Sequence, residues 1–468
     1  MIVLILLLLA ITAADEYVSY KDYKVYHVKP STKEHLRVLK SLKNNTNIDF
    51  WTPLYNTSIE PVNIMAAPKF QDQFVKILEQ QNISYEITVD DVEEVIIEER
   101  KELYNAPPRQ SGHITFDRYY NYSEIQAYLY ELADKKPNLV SLEDYGRSYE
   151  KRKLTLVHIP PENDERKPVI FIDAGMHARE WISPAQVLYI IYMLVQEPNN
   201  EWIQNIDFII IPLINPDGYE YTHTTDRMWR KTRSKGKRCY GVDPNRNFDY
   251  QWSGLGSEPY ECGNVYAGKR PFSEPETLYL SKVIMRYSKR IKLYLSFHSA
   301  AACFLYPWSH IPALPKNHRE LYGVASKAAM AILNATGTKY TVGTSYNVLG
   351  PAAGSSSDWV YAVARVKLAY VVELPEGHDN IFVIFPEDIL GVVKETCEGI
   401  KVFFKYIKRK YVSEKTKEPI VFGNSIKYAS STTKQVPQNI FVILFNVILW
   451  KTQPRTNPII SMVSVRDL

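Results

Sequence analysis

Residues from about 113 to 410 alternate short apolar runs with segments of helical periodicity, and this alternation strongly constrains the fold. It predicts an α/β fold in which helices flank a sheet, and the crevice at the carboxyl ends of the strands is where such sheets bind their ligands. The predicted strands are 154–159, 169–173, 208–213, 293–297 and 368–373. The predicted helices are 122–135, 184–196, 275–288 and 317–334.

The first hundred residues predict a separate, small α+β domain. Strand-like alternation covers 23–28, 61–65 and 85–89, and helical patterns cover 33–41, 70–80 and the acidic stretch 90–101. The segment 102–112, which contains Arg109 beside two prolines, is either a proteolytic hinge or an ordinary linker, and the residues favour neither. The expected boundaries are 15–109, 110–410, and a tail at 411–468 to which no function is assigned.

Residues 1–14 predict a secretory signal, because an apolar run is followed by Ala13 and Ala14. The run is too short to span a bilayer. Secretion agrees with five glycosylation sequons, at Asn44, Asn56, Asn82, Asn121 and Asn334. The formal net charge of +4 argues against a nucleic-acid partner.

Four cysteines in a secreted chain predict one or two disulfides. Cys239 and Cys262 flank a loop-rich stretch and are the natural pair. Cys303 and Cys397 lie in apolar surroundings, where they can remain buried thiols.

His177 and Glu180 follow the predicted strand 169–173 directly. An imidazole and a carboxylate three residues apart face the same way if the turn between them is helical, which suits two ligands of a tetrahedral Zn²⁺. The pair alone is weak evidence, since ordinary residue usage gives about one such pair by chance in a chain of this length.

Two further strand ends strengthen the metal hypothesis. His298 follows the predicted strand 293–297 and offers a third ligand, although a single histidine there is more often structural. Glu373 ends the apolar strand 368–373, where an unpaired carboxylate is costly unless it has a task. Beside a water molecule activated by the metal, Glu373 would act as the general base.

Arginines in two loops, 226–233 and 243–248, are candidates for binding a carboxylate or an oxyanion. The alternative is a solvated charged loop, and for the cluster around Arg227 taken alone this alternative is preferred.

Five segments, in order, carry a resemblance to zinc metallocarboxypeptidases of the A/B type in their precursor form. They are Gly-Met-His-Ala-Arg-Glu-Trp-Ile-Ser-Pro-Ala at 175–185, Asn-Pro-Asp-Gly-Tyr at 215–219, Met-Trp-Arg-Lys-Thr-Arg-Ser at 228–234, Gly-Val-Asp-Pro-Asn-Arg-Asn at 241–247 and Leu-Ser-Phe-His-Ser at 295–299. The resemblance covers roughly residues 20–410. It implies a mixed, eight-stranded-type sheet flanked by helices, preceded by an inhibitory N-terminal propeptide that an endoprotease removes.

The resemblance also implies a role for each matching residue. The ligands of one zinc ion per chain match His177, Glu180 and His298. Glu373 matches the residue that activates the attacking water, and Arg230 matches the group that polarises the scissile carbonyl. The remaining matches are Asn245 and Arg246 for the clamp on the substrate's terminal carboxylate, Arg179 for a neighbouring substrate-binding arginine, Asp243 for the carboxylate that orients the first zinc histidine, and Cys239 with Cys262 for the family's disulfide.

One position departs from the family. Gly350 stands where the family has a mobile tyrosine that closes over the substrate, and Tyr346 lies four residues upstream. A positioned hydroxyl contributes one hydrogen bond of about 1 kcal/mol, so we expect weaker binding or altered preference more than lost chemistry.

The specificity pocket is expected to be uncharged. Ser357 matches the position that carries Asp in relatives preferring terminal Lys or Arg, and Ser309 and Val371 match other pocket positions. The expected preference is for an apolar or aromatic C-terminal residue.

The sequence thus predicts a secreted, monomeric zymogen, in an extracellular or digestive setting, whose mature enzyme removes single residues from peptide or protein C-termini. Two rivals remain. The first is a catalytically impaired zinc- and peptide-binding relative, suggested by Gly350. The second is a zinc amidohydrolase or deacylase, against which the Asn245–Arg246 clamp argues, since such an enzyme needs no site for a C-terminal carboxylate. The activation bond is left open among those following Arg100, Lys101 and Arg109.

Overall fold

The computed structural model describes residues 17–43, 45–51, 54, 61–105, 109–161, 167–196, 201–377 and 382–412. The predicted signal at 1–14, the sequons Asn44 and Asn56, and the tail from 413 onward lie outside these residues.

The N-terminal residues form a four-stranded antiparallel sheet with strand order β2-β3-β1-β4. Its strands are β1 (Lys24–Lys29), β2 (Ile48–Phe50), β3 (Val62–Ala66) and β4 (Ser84–Val89). Its helices are α1 (Lys33–Ser41), α2 (Pro68–Gln80) and α3 (Val92–Asn105). Phe70, Phe74 and Leu78 recur every four residues along α2, so they lie on one face and enter the core of this unit. The sequence predicted each of these elements except the three-residue strand β2.

The larger unit contains a mixed eight-stranded sheet with strand order β11-β10-β12-β9-β7-β8-β6-β5. Its strands are β5 (Ser141–Arg147), β6 (Lys153–Ile159), β7 (Val169–Asp173), β8 (Asp207–Ile211), β9 (Ile291–Ser299), β10 (Cys303–Tyr306), β11 (Thr341–Thr344) and β12 (Ala369–Leu374). The central strands β8, β7, β9 and β12 run parallel, and antiparallel pairs flank them. The eight-stranded mixed sheet predicted from the sequence is therefore confirmed.

Helices pack on both sides of the apolar central strands. They are α4 (Tyr122–Lys135), α5 (Ile182–Gln196), α6 (Pro216–Thr224), α7 (Pro275–Tyr287), α8 (His318–Thr336), α9 (Ser345–Leu349), α10 (Ser356–Ala362) and α11 (Pro386–Tyr411). The long helix α11 was not predicted, although its buried residues recur every three or four positions in the manner of an amphipathic helix. Strands β5, β10 and β11 were also missed, because β5 is polar at the sheet edge and the other two have four residues each.

Parallel pairing brings chemically important residues to one edge of the sheet. The carboxyl ends of β7, β9 and β12 lie side by side, and the register places Glu373 beside His298. Crevices at the carboxyl ends of such strands are the usual ligand sites of α/β sheets.

Two other sequence expectations have structural counterparts. Cys239 and Cys262 form a disulfide, whereas Cys303 and Cys397 are free and buried. Among the helices of the described residues, none is both long and apolar enough to cross a membrane.

Candidate zinc centre and substrate cavity

The loop after β7 presents His177 and Glu180 together. The intervening residues form a tight turn, in which the backbone N–H of Glu180 donates to the carbonyl of His177 at 3.4 Å, and helix α5 begins only at Ile182. This single hydrogen-bonded turn therefore makes the two side chains face the same way, as was expected of a helical turn. His177 Nδ1 lies 2.8 Å from Glu180 Oε1.

His298 on β9 completes a compact cluster of three donors. Its Nδ1 lies 3.1 Å from Glu180 Oε2 and 3.1 Å from His177 Nδ1. Ligands at the usual zinc distances in a tetrahedral arrangement are separated by about 3.3 Å. Two imidazole nitrogens and one carboxylate, buried and within about 0.5 Å of this spacing, therefore fit a zinc ion.

The opposite ring nitrogens of both histidines have acceptors. His177 Nε2 lies 3.1 Å from Asp243 Oδ1, and His298 Nε2 lies 3.2 Å from the hydroxyl of Ser296. Protonated Nε2 atoms would leave both Nδ1 lone pairs for the metal, as in many metal-binding histidines. Burial opposes the charge on Asp243, but Arg230 and His177 outweigh it and hold the pKa of Asp243 well below its ordinary value.

Glu373 faces the cavity beside this cluster. Burial, assisted by the negative charge of Glu180 and opposed by His298, raises the pKa of Glu373 to about 7. A carboxyl with a pKa near neutrality is suited to accepting and returning a proton at physiological pH. A bound metal cation would lower this pKa, because it stabilises the ionised form.

Arg230 reaches the cluster from the segment after α6. The backbone N–H of Ala178 donates to the carbonyl of Arg230 at 3.0 Å, which ties this segment to the His177 turn. The guanidinium donates to Asp243 Oδ2 from Nη2 at 2.9 Å, and its Nη1 lies 3.5 Å from Glu180 Oε1. Asp243 thus orients both a histidine and an arginine.

Asn245 and Arg246 line the same cavity from a short 3₁₀ turn, Pro244–Arg246. Asp243 caps this turn by accepting from the backbone N–H of Asn245 at 2.8 Å. The side-chain carbonyl of Asn245 accepts from the backbone N–H of Ser356 at 2.9 Å, and Arg246 Nε donates to the carbonyl of Gly256 at 2.8 Å. These contacts fix the orientation of both side chains.

The N-terminal unit covers this cavity, which has a volume of about 510 Å³. Asp49 of β2 forms an ion pair with Arg179 and also accepts from Asn264 Nδ2 at 2.9 Å. Trp51 packs edge-to-face against Phe382, with ring centroids 5.6 Å apart. No local sequence pattern indicated that Asp49 would reach this site.

The cluster around Arg227 is not the solvated loop that the sequence favoured for it. Arg227 is buried, donates to both carboxylate oxygens of Glu99 at 2.5 and 2.9 Å, and stacks over Trp181. The partner carboxylate belongs to α3, more than a hundred residues away, so local composition could not reveal the pairing.

The predicted pocket residues Ser309, Ser357 and Val371 all line the cavity, together with two serines that the sequence did not single out, Ser345 and Ser355. Ser355 lies two residues before Ser357 in the sequence, and this proximity to a predicted pocket residue could have indicated it. Nearby, Gly354 adopts a φ of +76°, and a side chain there would meet the backbone oxygen of Arg246 at 2.3 Å. Only glycine allows this close approach between the pocket and the clamp.

Family comparisons agree with this geometry. The profile of the zinc carboxypeptidase family matches residues 125–399, and that of the carboxypeptidase activation peptide matches residues 26–99. The chain belongs to the zinc carboxypeptidase family. The resemblance predicted from the sequence is thereby confirmed. The chain is a metallocarboxypeptidase that carries an N-terminal activation peptide.

Individual relatives of this carboxypeptidase share most of its length. Carboxypeptidase B of Astacus astacus is 41% identical over 63% of this chain and 98% of its own. Zinc carboxypeptidase A 1 of Drosophila melanogaster is 36% identical over 86% of this chain and 97% of its own. The crystal structure of carboxypeptidase A from Helicoverpa armigera superposes with a TM-score of 0.78, at 31% identity, over 84% of this chain and 98% of that one.

Proposed function

We propose that this carboxypeptidase is the precursor of an exopeptidase that releases single residues, with uncharged side chains, from peptide C-termini. The observation that carries the proposal is one cavity lined by Glu373, by the Asn245–Arg246 clamp and by His177 and Glu180, which cluster with the buried His298. An exopeptidase needs both a hydrolytic centre and a site for a free carboxylate.

His177, Glu180 and His298 would hold one zinc ion through two Nδ1 atoms and a carboxylate oxygen. Zinc bound there supplies a Lewis acid that polarises a carbonyl and lowers the pKa of water. By accepting a hydrogen bond from each Nε2, Asp243 and Ser296 would favour the tautomer that leaves Nδ1 unprotonated.

The protein residues divide the remaining work. Arg246 and Asn245 would bind the terminal carboxylate of the substrate, which positions the last peptide bond over the cluster. Glu373 would accept a proton from the attacking water on its carboxylate and return that proton to the leaving amine nitrogen. Arg230 would donate hydrogen bonds to the oxyanion that develops on the scissile carbonyl.

The N-terminal unit would keep the precursor latent. The carboxylate of Asp49 pairs with Arg179, a proposed substrate-binding group, and the unit covers the cavity. We propose residues 15–109 as the activation segment and 110–410 as the catalytic domain. Of the three candidate cleavage residues, Arg109 is held by Glu131 through bonds of 2.7 and 2.8 Å, whereas Lys101 is exposed.

The proposal includes a secreted, extracellular and monomeric protein, with the signal at 1–14 and an activating endoprotease as partner. The supporting observations are the apolar start of the chain, the sequons and the disulfide Cys239–Cys262. The apolar or aromatic preference expected from the sequence stays a prediction.

Gly350 favours a second candidate, an impaired enzyme that binds peptides without efficient turnover. The residue adopts a φ of +86°, and a β-carbon there would lie 3.5 Å from the backbone oxygen of Leu54. A tyrosine at this position would be strained in the observed backbone. Any rescue by Gly350→Tyr therefore requires a rearranged loop.

The test measures release of the C-terminal residue from an N-blocked dipeptide by the full chain, zinc-loaded and nicked with trypsin. The corresponding dipeptide amide and the Glu373→Gln variant serve as controls. We expect turnover of the acid, a loss of roughly 100-fold or more with the amide, and a loss of about 10²–10⁴-fold in the variant. Equal rates for acid and amide would exclude the clamp, and binding without turnover would establish the impaired alternative.

A further inference from the structure

The part of the cavity beyond the clamp is lined by serine hydroxyls. The Ser309 and Ser355 hydroxyl oxygens lie 2.5 Å apart, and those of Ser355 and Ser357 lie 3.5 Å apart. All three residues are almost completely buried and line the cavity. We call these residues, together with Ser345, the hydroxyl pocket.

Ser345 contributes a hydroxyl that lacks a partner. Its oxygen is buried and makes no hydrogen bond to any described residue, and Ser345 is one of the residues that line the cavity. The residue is held near Ser309, because the backbone N–H of the following Tyr346 donates to the carbonyl of Trp308 at 3.0 Å. Buried polar groups without a partner are uncommon and costly, so this hydroxyl indicates a ligand group that pairs with it.

Three apolar residues of the same cavity pack together beside β10 and β12. Leu305 and Val371 are paired across β10 and β12, and Leu349 packs against them. Asp358, a buried carboxylate that contacts Ser309, already accepts from the backbone N–H groups of Ser309 and His310 and from His310 Nδ1. It is therefore not positioned to neutralise a substrate cation.

We propose that the hydroxyl pocket selects C-terminal residues with a neutral amide side chain, asparagine or glutamine. This inference rests on the proposed exopeptidase function. A hydroxyl both donates and accepts hydrogen bonds, as an amide does, so the two sets match. An apolar side chain would leave the Ser345 hydroxyl unpaired, and an ionic one would lose hydration without gaining a counter-charge from the pocket serines.

The test uses two pairs of N-blocked dipeptides with side chains of similar size, ending in Asn or Leu and in Gln or Met. With the full chain, zinc-loaded and nicked, we expect kcat/KM for at least one amide substrate to exceed that of its apolar counterpart by roughly tenfold or more. A preference for Leu and Met, or equal rates in both pairs, would overturn the proposal and establish the apolar preference expected from the sequence.

Ser345→Ala and Ser309→Ala assign the effect to the pocket. Each should lower the amide-to-apolar ratio of kcat/KM by roughly fivefold. Ser326→Ala is the matched control, because Ser326 on α8 also has a buried, unpartnered hydroxyl but does not line the cavity. An unchanged ratio in both pocket variants would refute the role of the hydroxyls.

A binding measurement separates this inference from the proposed function. Calorimetric titration of nicked Glu373→Gln with the same peptides should show tighter binding of the amide member of a pair. If the wild-type protein shows no turnover, the exopeptidase function is refuted. The order of peptide affinities in the Glu373→Gln variant would still support or overturn the proposed selectivity of the hydroxyl pocket.

Discussion

Replacing Glu99 with Gln is expected to weaken the hold of the activation segment on the catalytic domain. Glu99 and Arg227 are 0% and 1% exposed, respectively, so their ion pair is shielded from solvent. The guanidinium donates two hydrogen bonds to the carboxylate and one to the carbonyl of Arg179, at 2.9 Å. The substitution keeps the shape of the side chain but leaves a buried arginine without its counter-ion.

Breaking a buried ion pair by removing one charge costs about 3–5 kcal/mol. Gln retains one neutral hydrogen bond, and Arg227 keeps its contacts with Trp181 and the Arg179 carbonyl, so about 2–4 kcal/mol is expected here. This cost corresponds to roughly 30- to 1,000-fold weaker binding of the segment after cleavage.

The assay follows carboxypeptidase activity as trypsin-nicked precursor is diluted, which gives the dissociation constant of the segment. Cleavage after Arg100, Lys101 or Arg109 removes residue 99, so wild type and variant yield the same mature enzyme. Any difference therefore lies in the segment alone.

Glu98→Gln is the matched control. Glu98 is adjacent on α3, its side chain is 52% exposed, and it pairs with Lys101 at 3.6 Å, so its loss should change binding less than fivefold. A Glu99→Gln segment that binds within twofold of wild type would refute the reasoning, since the buried pair would then contribute nothing to latency.

Three further predictions concern the metal, a buried acid and the disulfide. Chelation should abolish activity and lower the melting temperature measured by calorimetry, and added zinc should restore both. A His298→Ala variant should melt at the same temperature with and without the chelator. Burial, with the charge of Glu274, raises the pKa of Glu276 to about 8, so the folded state keeps a proton that the unfolded state loses above about pH 4.5. Stability should therefore fall as pH rises from about 5 to 8, and thermal melts of Glu276→Gln should lose part of this slope; an unchanged slope would contradict the assignment. Breaking the disulfide by Cys239→Ser, which opens a loop with a sequence separation of 23, should cost about 3 kcal/mol in urea unfolding, and a change below about 1 kcal/mol would count against the loop-entropy account.

The sequence predicted most of the fold where local patterns are strong. Strand β7 and helices α1 and α4 have the predicted bounds, because apolar runs and amphipathic periodicity reflect burial directly. Short strands such as β2 and β11 carry too few residues for a periodic signal, and pairing with longer neighbours forms them.

The candidate metal site was also readable from sequence. His177, Glu180 and His298 each follow or end a buried strand, and parallel strands bring their carboxyl ends to one edge. Chain order plus that rule was enough to place the three donors together.

What the sequence determined by itself was therefore the α/β scaffold, the candidate zinc donors and Glu373, since these depend on residue type and position along predicted strands. Tertiary structure decided which distant charges meet. Asp49 with Arg179, Glu99 with Arg227, and the unpartnered Ser345 hydroxyl beside Ser309 follow from the packing of separate elements. Long-range packing leaves no periodic trace in either partner's segment, so only the folded chain shows how the precursor covers its cavity and what that cavity offers a substrate.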